Sequence, residues 1–197
     1  MTRLVIALFF GVLALLSTAA DAQKPTRVRG TITAVDGNTL LLKSLDGKDL
    51  GLQMVEKTVV AAAKAIKLED LKPGDYVGST AKQGPDGMLV ASEVHTIART
   101  VKEGHGPWDM GSDTTMTNAN VGTVTKVAKG YELTLNYSGG SQTILVPPGT
   151  PIVTTVPADR SLLAPGVYVF IGAQTEPDGT ITALRIQASK DGVKPPQ

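Results

Sequence analysis

The residues with most capacity for chemistry gather in one stretch. Glu103-Gly104-His105-Gly106-Pro107-Trp108-Asp109-Met110, followed by Thr115-Met116-Thr117-Asn118-Ala119, contains the sole tryptophan and one of the two histidines of the chain. Imidazole and thioether together suit copper, and carboxylates such as Asp109 or Asp113 suit harder cations. Upstream, Glu93 and His95 stand two apart in a β-rich run and so project to one face. A bend between His95 and His105 would let Met110, Met116 and Glu93 complete a shell for copper or another divalent metal. The spacing argues less for this than the residue types do, because no H-x-H, M-x-x-M or H-x-x-x-H pattern occurs. The competing expectation is that Trp108 packs as a wedge between two folded units, with His105, Asp109 and Asn118 around it as a contact surface for a ligand or partner. A lone indole in a linker is ordinarily a packing group, so packing leads, and Glu93 and His95 are expected as a solvent-facing pair. No cofactor is required on this reading.

Other chemistries lack their residues. There is no cysteine, so disulfides, thiolate metal sites and cysteine nucleophiles are excluded. No G-x-S-x-G elbow, H-E-x-x-H, phosphate-binding loop or dinucleotide fingerprint occurs, and the chain is expected not to be an enzyme. A formal net charge of +1 and 4% aromatic residues leave no basic, stacking surface for nucleic acid.

The elements that must carry these residues follow from a duplication. Gly30-Thr31-Ile32-Thr33-Ala34-Val35 aligns with Gly122-Thr123-Val124-Thr125-Lys126-Val127, Leu40 and Leu42 with Leu133 and Leu135, and Leu71-Lys72-Pro73-Gly74-Asp75-Tyr76-Val77 with Leu163-Ala164-Pro165-Gly166-Val167-Tyr168-Val169. Pro85-Asp86-Gly87 then meets Pro177-Asp178-Gly179. Apolar positions and turn residues coincide in order, which marks an internal tandem repeat. Within each copy, short alternating runs separated by Asp46-Gly47, Gly139-Gly140 and the Pro-Asp-Gly turns read as hairpins. Alanine-rich 61–71, closed by Pro73-Gly74, predicts a short helix, and 157–163 a shorter one in the second copy.

The order strand, strand, strand, helix, strand, strand predicts an all-β chain of two tandem five-stranded OB-like barrels with one short helix per repeat. Glycines at 30 and 122 would supply the bends of the first strands. The expected divisions are a signal peptide at 1–22, a first barrel at 23–98, a bridge at 99–120, a second barrel at 121–189 and a disordered tail at 190–197. Arg3, the apolar run Leu4 to Leu16 and Ala20-Asp21-Ala22 form the export pattern. An apolar run this short falls below the ~20 residues of a membrane span, so no span is expected after cleavage. Export without disulfides suits a bacterial periplasm.

The G-T-[IV]-T-x-V opening, the L-x-P-G-x-Y-V turn and the P-D-G hairpin resemble an uncharacterised group of exported bacterial OB-like domains of unknown function. The bridge, from Glu103 to Met110 and from Thr115 to Ala119, is similar to a narrower subgroup sometimes labelled metal-transporter permeases. That label does not suit a chain without several spanning helices. The resemblance implies fold and export and brings no catalytic residues. The expectation is a periplasmic, non-catalytic binding or scaffolding protein for an unidentified protein or small ligand, with periplasmic metal binding through the bridge as the alternative.

Overall fold

The structure, a computed structural model, describes residues 25–197; the expected signal peptide at 1–22 lies outside them. The strands in chain order are β1 (Pro25–Asp36), β2 (Thr39–Ser44), β3 (Asp49–Ala65), β4 (Tyr76–Gln83), β5 (Leu89–Thr96) and β6 (Gly104–Pro107). They continue as β7 (Thr114–Val127), β8 (Gly130–Tyr137), β9 (Gly140–Val146), β10 (Ile152–Pro157), β11 (Tyr168–Thr175) and β12 (Ile181–Ala188). Period-2 patterning sets their faces: Leu40 and Leu42 are fully enclosed while Leu41 between them is 40% exposed. Gly47, Gly87 and Gly179 take positive φ at the hairpin turns that their neighbours announce in sequence.

The strands close into two five-stranded barrels, but the repeats exchange strands to build them. In the first barrel β1, β2 and β3 pair in succession, β3 pairs in parallel with β12, β12 with β11, and β11 back with β1. In the second, β7, β8 and β9 pair in succession, β9 pairs in parallel with β5, β5 with β4, and β4 back with β7. Each barrel therefore takes three strands from one repeat and two from the other. The expected division into consecutive barrels at 23–98 and 121–189 is corrected accordingly. Two near-identical repeats offer the same apolar faces to each other as to themselves, so the pattern alone does not choose between closing within a copy and closing across copies.

Both cores show the exchange. One packs Ile32, Leu40, Leu42 and Leu52 against Val169, Ile171 and Ile186; the other packs Val77 and Val94 against Leu133, Leu135 and Ile144. Enclosing side chains of this size stabilises by about 1.5–3 kcal/mol each relative to exposure. Each core therefore depends on both halves of the chain. Gly30 shows how tight the first barrel is: a Cβ there would lie 2.3 Å from the Lys43 carbonyl oxygen. The bulge in the first strand falls between Ile32 and Ala34 in β1 and between Val121 and Thr123 in β7. Gly30 and Gly122, aligned by sequence, consequently do not occupy matching places in the pairing.

The expected helices do not form. Ala61 to Ala65 continue β3 and pair with β10, and Ala61 and Ala62 pair on the other side with Gln187 and Ala188 of β12. Only single turns of 3-10 helix follow, at Leu68–Asp70 and Arg160–Leu162. Alanine has high helix propensity, but here Ala61, Ala62 and Ala63 are buried where the two barrels join. Small side chains suit the close packing of the junction, and tertiary pairing overrides the local preference. Ala63 pairs with Thr155, its own counterpart in the second repeat. The β3–β10 ladder thus lies on an approximate two-fold relating the repeats, with Val60–Ile186 and Val94–Ile152 as symmetric parallel pairs.

Candidate functional site

A cavity of about 610 Å³ lies beside this junction. The first barrel contributes Arg27 of β1, Phe170 of β11, and Arg185 and Gln187 of β12; the second contributes His95 of β5 and Met116 and Asn118 of β7. Thr155 of β10, Thr96 and most of the 97–101 segment, Trp108, and Pro196 and Gln197 of the tail complete the wall. Strand alternation explains the grouping, since His95 and Asn118 both flank Gly78 in the cross-strand register and so share a face. Gly78 is required here: a Cβ would come within 2.5 Å of His95 Nε2 and 3.1 Å of Asn118 Oδ1. Tyr76, burial having raised its pKa above the usual phenol value, donates from its hydroxyl to the Val101 carbonyl at 2.9 Å and ties down the 97–101 segment.

The bridge is fastened to the first barrel. Both oxygens of Asp109 accept from the Arg29 guanidinium, at 2.8 and 3.2 Å, and Arg27 approaches Asp109 at 3.7 Å. The Arg29 side chain is only 9% exposed and also stacks on Phe170 at 4.9 Å. Arg27 lies over the Trp108 ring at 4.4 Å, and the Trp108 backbone N–H donates to the Thr114 carbonyl at 2.8 Å. Trp108, half-buried, thus sits against Arg27 of the first barrel on the wall of the inter-barrel cavity. Its Nε1 is nonetheless buried without a hydrogen-bond partner among the described residues, as is Gln187 Oε1, which lines the same cavity. Buried polar atoms of this kind cost free energy unless something satisfies them.

Glu93 and His95 depart from the solvent-facing pair expected from sequence. His95 is 6% exposed. Its Nδ1 lies 2.8 Å from Glu93 Oε1, an ion-pair distance without hydrogen-bond alignment. Crossover of chain from the other repeat covers them. The expected disordered tail at 190–197 instead turns back through Asp191 and Gly192, both at positive φ, and buries Pro195 and Pro196. The Gln197 backbone N–H donates to Glu93 Oε1 at 3.0 Å, and the Tyr168 hydroxyl donates to Gln197 Oε1 at 3.2 Å. The desolvated Tyr168 phenol has a pKa raised above its ordinary value.

The proposed metal ligands separate. His95 and Met116 line the inter-barrel cavity, whereas His105 projects from the other face of the sheet, with Nδ1 2.9 Å from Thr117 Oγ1, into a different pocket beside Gln142 and Asp113. Met110, 38% exposed, and Glu93 border a third, largely apolar cavity of about 640 Å³ with Leu45, Ile152, Tyr168 and Pro195. Among the described residues no three His, Asp or Glu side chains are placed to hold a metal ion. Of the residues expected as a contact surface, Trp108 and Asn118 reach the inter-barrel cavity, Asp109 acts as the clamp behind it, and His105 lies elsewhere. Arg27, Phe170, Arg185 and Gln187 were not expected at a site. Arg185 and Gln187 share the cavity with His95 because strand exchange carries β12 to the first barrel. The equivalence of Gln187 with His95 and of Arg185 with Glu93 is the signal in the sequence that could have found them.

Among the described residues no helix is long and apolar enough to cross a membrane. A family model described as a domain of unknown function (DUF5666) matches twice, over residues 29–95 and 121–187, and the chain belongs to that family. No curated protein matches it.

Proposed function

We propose that this two-repeat member of the DUF5666 family is an exported, periplasmic, non-catalytic binding protein whose small ligand occupies the cavity between the exchanged barrels. The observation that carries the reading is the pair of buried polar atoms without a partner among the described residues, Trp108 Nε1 and Gln187 Oε1, on residues that line one cavity. A donor and an acceptor in one recess with apolar Phe170, Met116 and Ile97 are the ingredients of a small-molecule site. Symmetry supports it. The two-fold that places His95 opposite Gln187 would give identical walls in an unspecialised duplicate, and here the walls have diverged. Clamping of the bridge by Arg29 and Asp109 makes the recess preformed, which lowers the ordering cost of binding.

The test is native mass spectrometry of the chain recovered from its own host's periplasm. The expected result is an N-terminus at Gln23 and a small-molecule adduct that survives in the wild type and is lost in Ala98→Trp, which fills the exposed lip of the cavity. Recovery of an uncleaved chain from the cytoplasm would overturn the export reading. A chain free of adduct that instead co-purifies with a stoichiometric protein would overturn ligand binding in favour of scaffolding.

A further inference from the structure

The charged side chains that line the inter-barrel cavity, beside the tail residues Pro196 and Gln197, are of one sign. Two guanidinium groups, Arg27 and Arg185, line it, and no Asp or Glu side chain does. The carboxylate closest to Arg27, that of Asp109, is 3.7 Å away and already holds Arg29 with both oxygens. Arg185 donates to the Thr155 hydroxyl at 3.3 Å and has no carboxylate partner among the described residues. Trp108 Nε1 adds an unused neutral donor. His95 presents its ring edge across Gly78, with Nδ1 turned to Glu93 and Nε2 left without a hydrogen-bond partner among the described residues.

A recess with low-dielectric walls and one sign of charge focuses a potential that concentrates ions of the opposite sign. Guanidinium groups meet carboxylates with two parallel N–H donors, a geometry that a point charge does not supply. Among the polar residues of the remaining wall, such as Asn118, Thr155 and Gln187, the side chains of Phe170, Met116 and Ile97 supply apolar surface. Resting on the reading of the cavity as a ligand site, we propose that its ligand is a small organic carboxylate. Its anionic end is met by Arg185 and Arg27, and its hydrocarbon or aromatic body lies against Phe170 and Met116.

Three probes separate the parts of the proposal: benzoate carries both charge and ring, acetate the charge alone, and benzyl alcohol the ring alone. Calorimetric titration with Trp108 emission as a second readout is expected to show benzoate binding at least about tenfold tighter than either of the others. Arg185→Gln, a change at an exposed position checked for folding by circular dichroism, is expected to remove about tenfold of benzoate affinity and leave benzyl alcohol unchanged. Arg185→Lys is expected to recover part of the loss. Equal binding of benzoate and benzyl alcohol, or benzoate binding indifferent to Arg185→Gln, overturns the carboxylate class and leaves the cavity as a ligand site. Failure of all three to bind overturns the ligand-site reading with it. Acetate binding as tightly as benzoate overturns the role given to the apolar wall.

Discussion

Removing the Asp109 carboxylate should release the bridge from the first barrel, and the size of the effect follows from the burial of its two partners. Arg29 is 9% exposed and Asp109 41% exposed, with the shorter contact at 2.8 Å. Surface ion pairs contribute about 0.2–1 kcal/mol, and breaking a fully buried pair costs about 3–5 kcal/mol. This pair is buried on one side only and is two-pronged, so Asp109→Ala should cost about 2 kcal/mol. Most of that is the penalty of leaving the enclosed Arg29 guanidinium without its acceptor. Arg29→Ala also loses the stacking on Phe170 at 4.9 Å and should cost more. In urea unfolding followed by far-UV circular dichroism, the two single variants and the double variant form a cycle whose coupling energy should be about 1.5 kcal/mol. Trp108 emission gives a local readout, and should shift to the red in Asp109→Ala in the absence of denaturant. Additivity within about 0.5 kcal/mol, with Trp108 emission unmoved, would refute the clamp and with it the claim that the bridge shapes the cavity.

Three other outcomes follow from the same geometry. Leu40→Ala and Leu133→Ala, each at a fully enclosed position but in different barrels, should each cost about 2–5 kcal/mol; calorimetry should show a single transition moving down in both, and a separate transition for each barrel would contradict the strand exchange. Gly78→Ala puts a Cβ 2.5 Å from His95 Nε2, which should cost about 1–3 kcal/mol as overpacking and displace the His95 ring resonances in an NMR spectrum; unchanged resonances would remove Gly78 from the site. Tyr76, Tyr131 and Tyr168 have raised phenol pKa values in the folded chain, Tyr76 and Tyr168 chiefly by burial and Tyr131 chiefly through its hydrogen bond to Glu69. A proton held more tightly in the folded state makes that share of stability complete below the ordinary phenol value near 10 and progressively lost as the pH rises through the folded values. Tyrosinate absorbance should rise later in the folded chain than in urea, and coincident titration curves would contradict the burial.

Much of the fold is legible in the sequence because repeats and turns leave local marks. The Pro-Asp-Gly and Asp-Gly pairs sit at the hairpin turns, and Leu40, Leu42, Leu133 and Leu135 are enclosed as their alternation requires. The misreadings have physical causes. Ala61 to Ala63 carry helix propensity but are held by ladders on both sides, an effect of chain distant in sequence. Strand exchange leaves no mark in a repeat, since Val94 meets Ile152 with the same apolar chemistry that a partner in its own copy would offer. The candidate site was half legible. Trp108, His95, Met116 and Asn118 stand out by type, yet their grouping depends on registers such as His95 with Gly78 and Gly78 with Asn118. His105 was misplaced because it pairs opposite Thr117, one residue from Asn118, and a shift of one residue reverses the face. The buried tail escaped notice because Pro195 and Pro196 read as solvent-borne proline until a groove exists to receive them.

The exchange of strands also sets a timetable for the chain as it is made. The first barrel begins at Pro25 and has no closing strand until Ile181–Ala188 exists. Until then β3 has one edge open along its length, and β4 and β5 must wait for β7 and β9. A nascent chain that has completed its first repeat therefore holds no finished domain, only a half-barrel and a spare hairpin. Folding dominated by such distant pairings is slow, and unpaired edges invite association in the interval. A premature stop anywhere between the repeats leaves neither barrel, so the last strand is as necessary to the first half of the molecule as to the second.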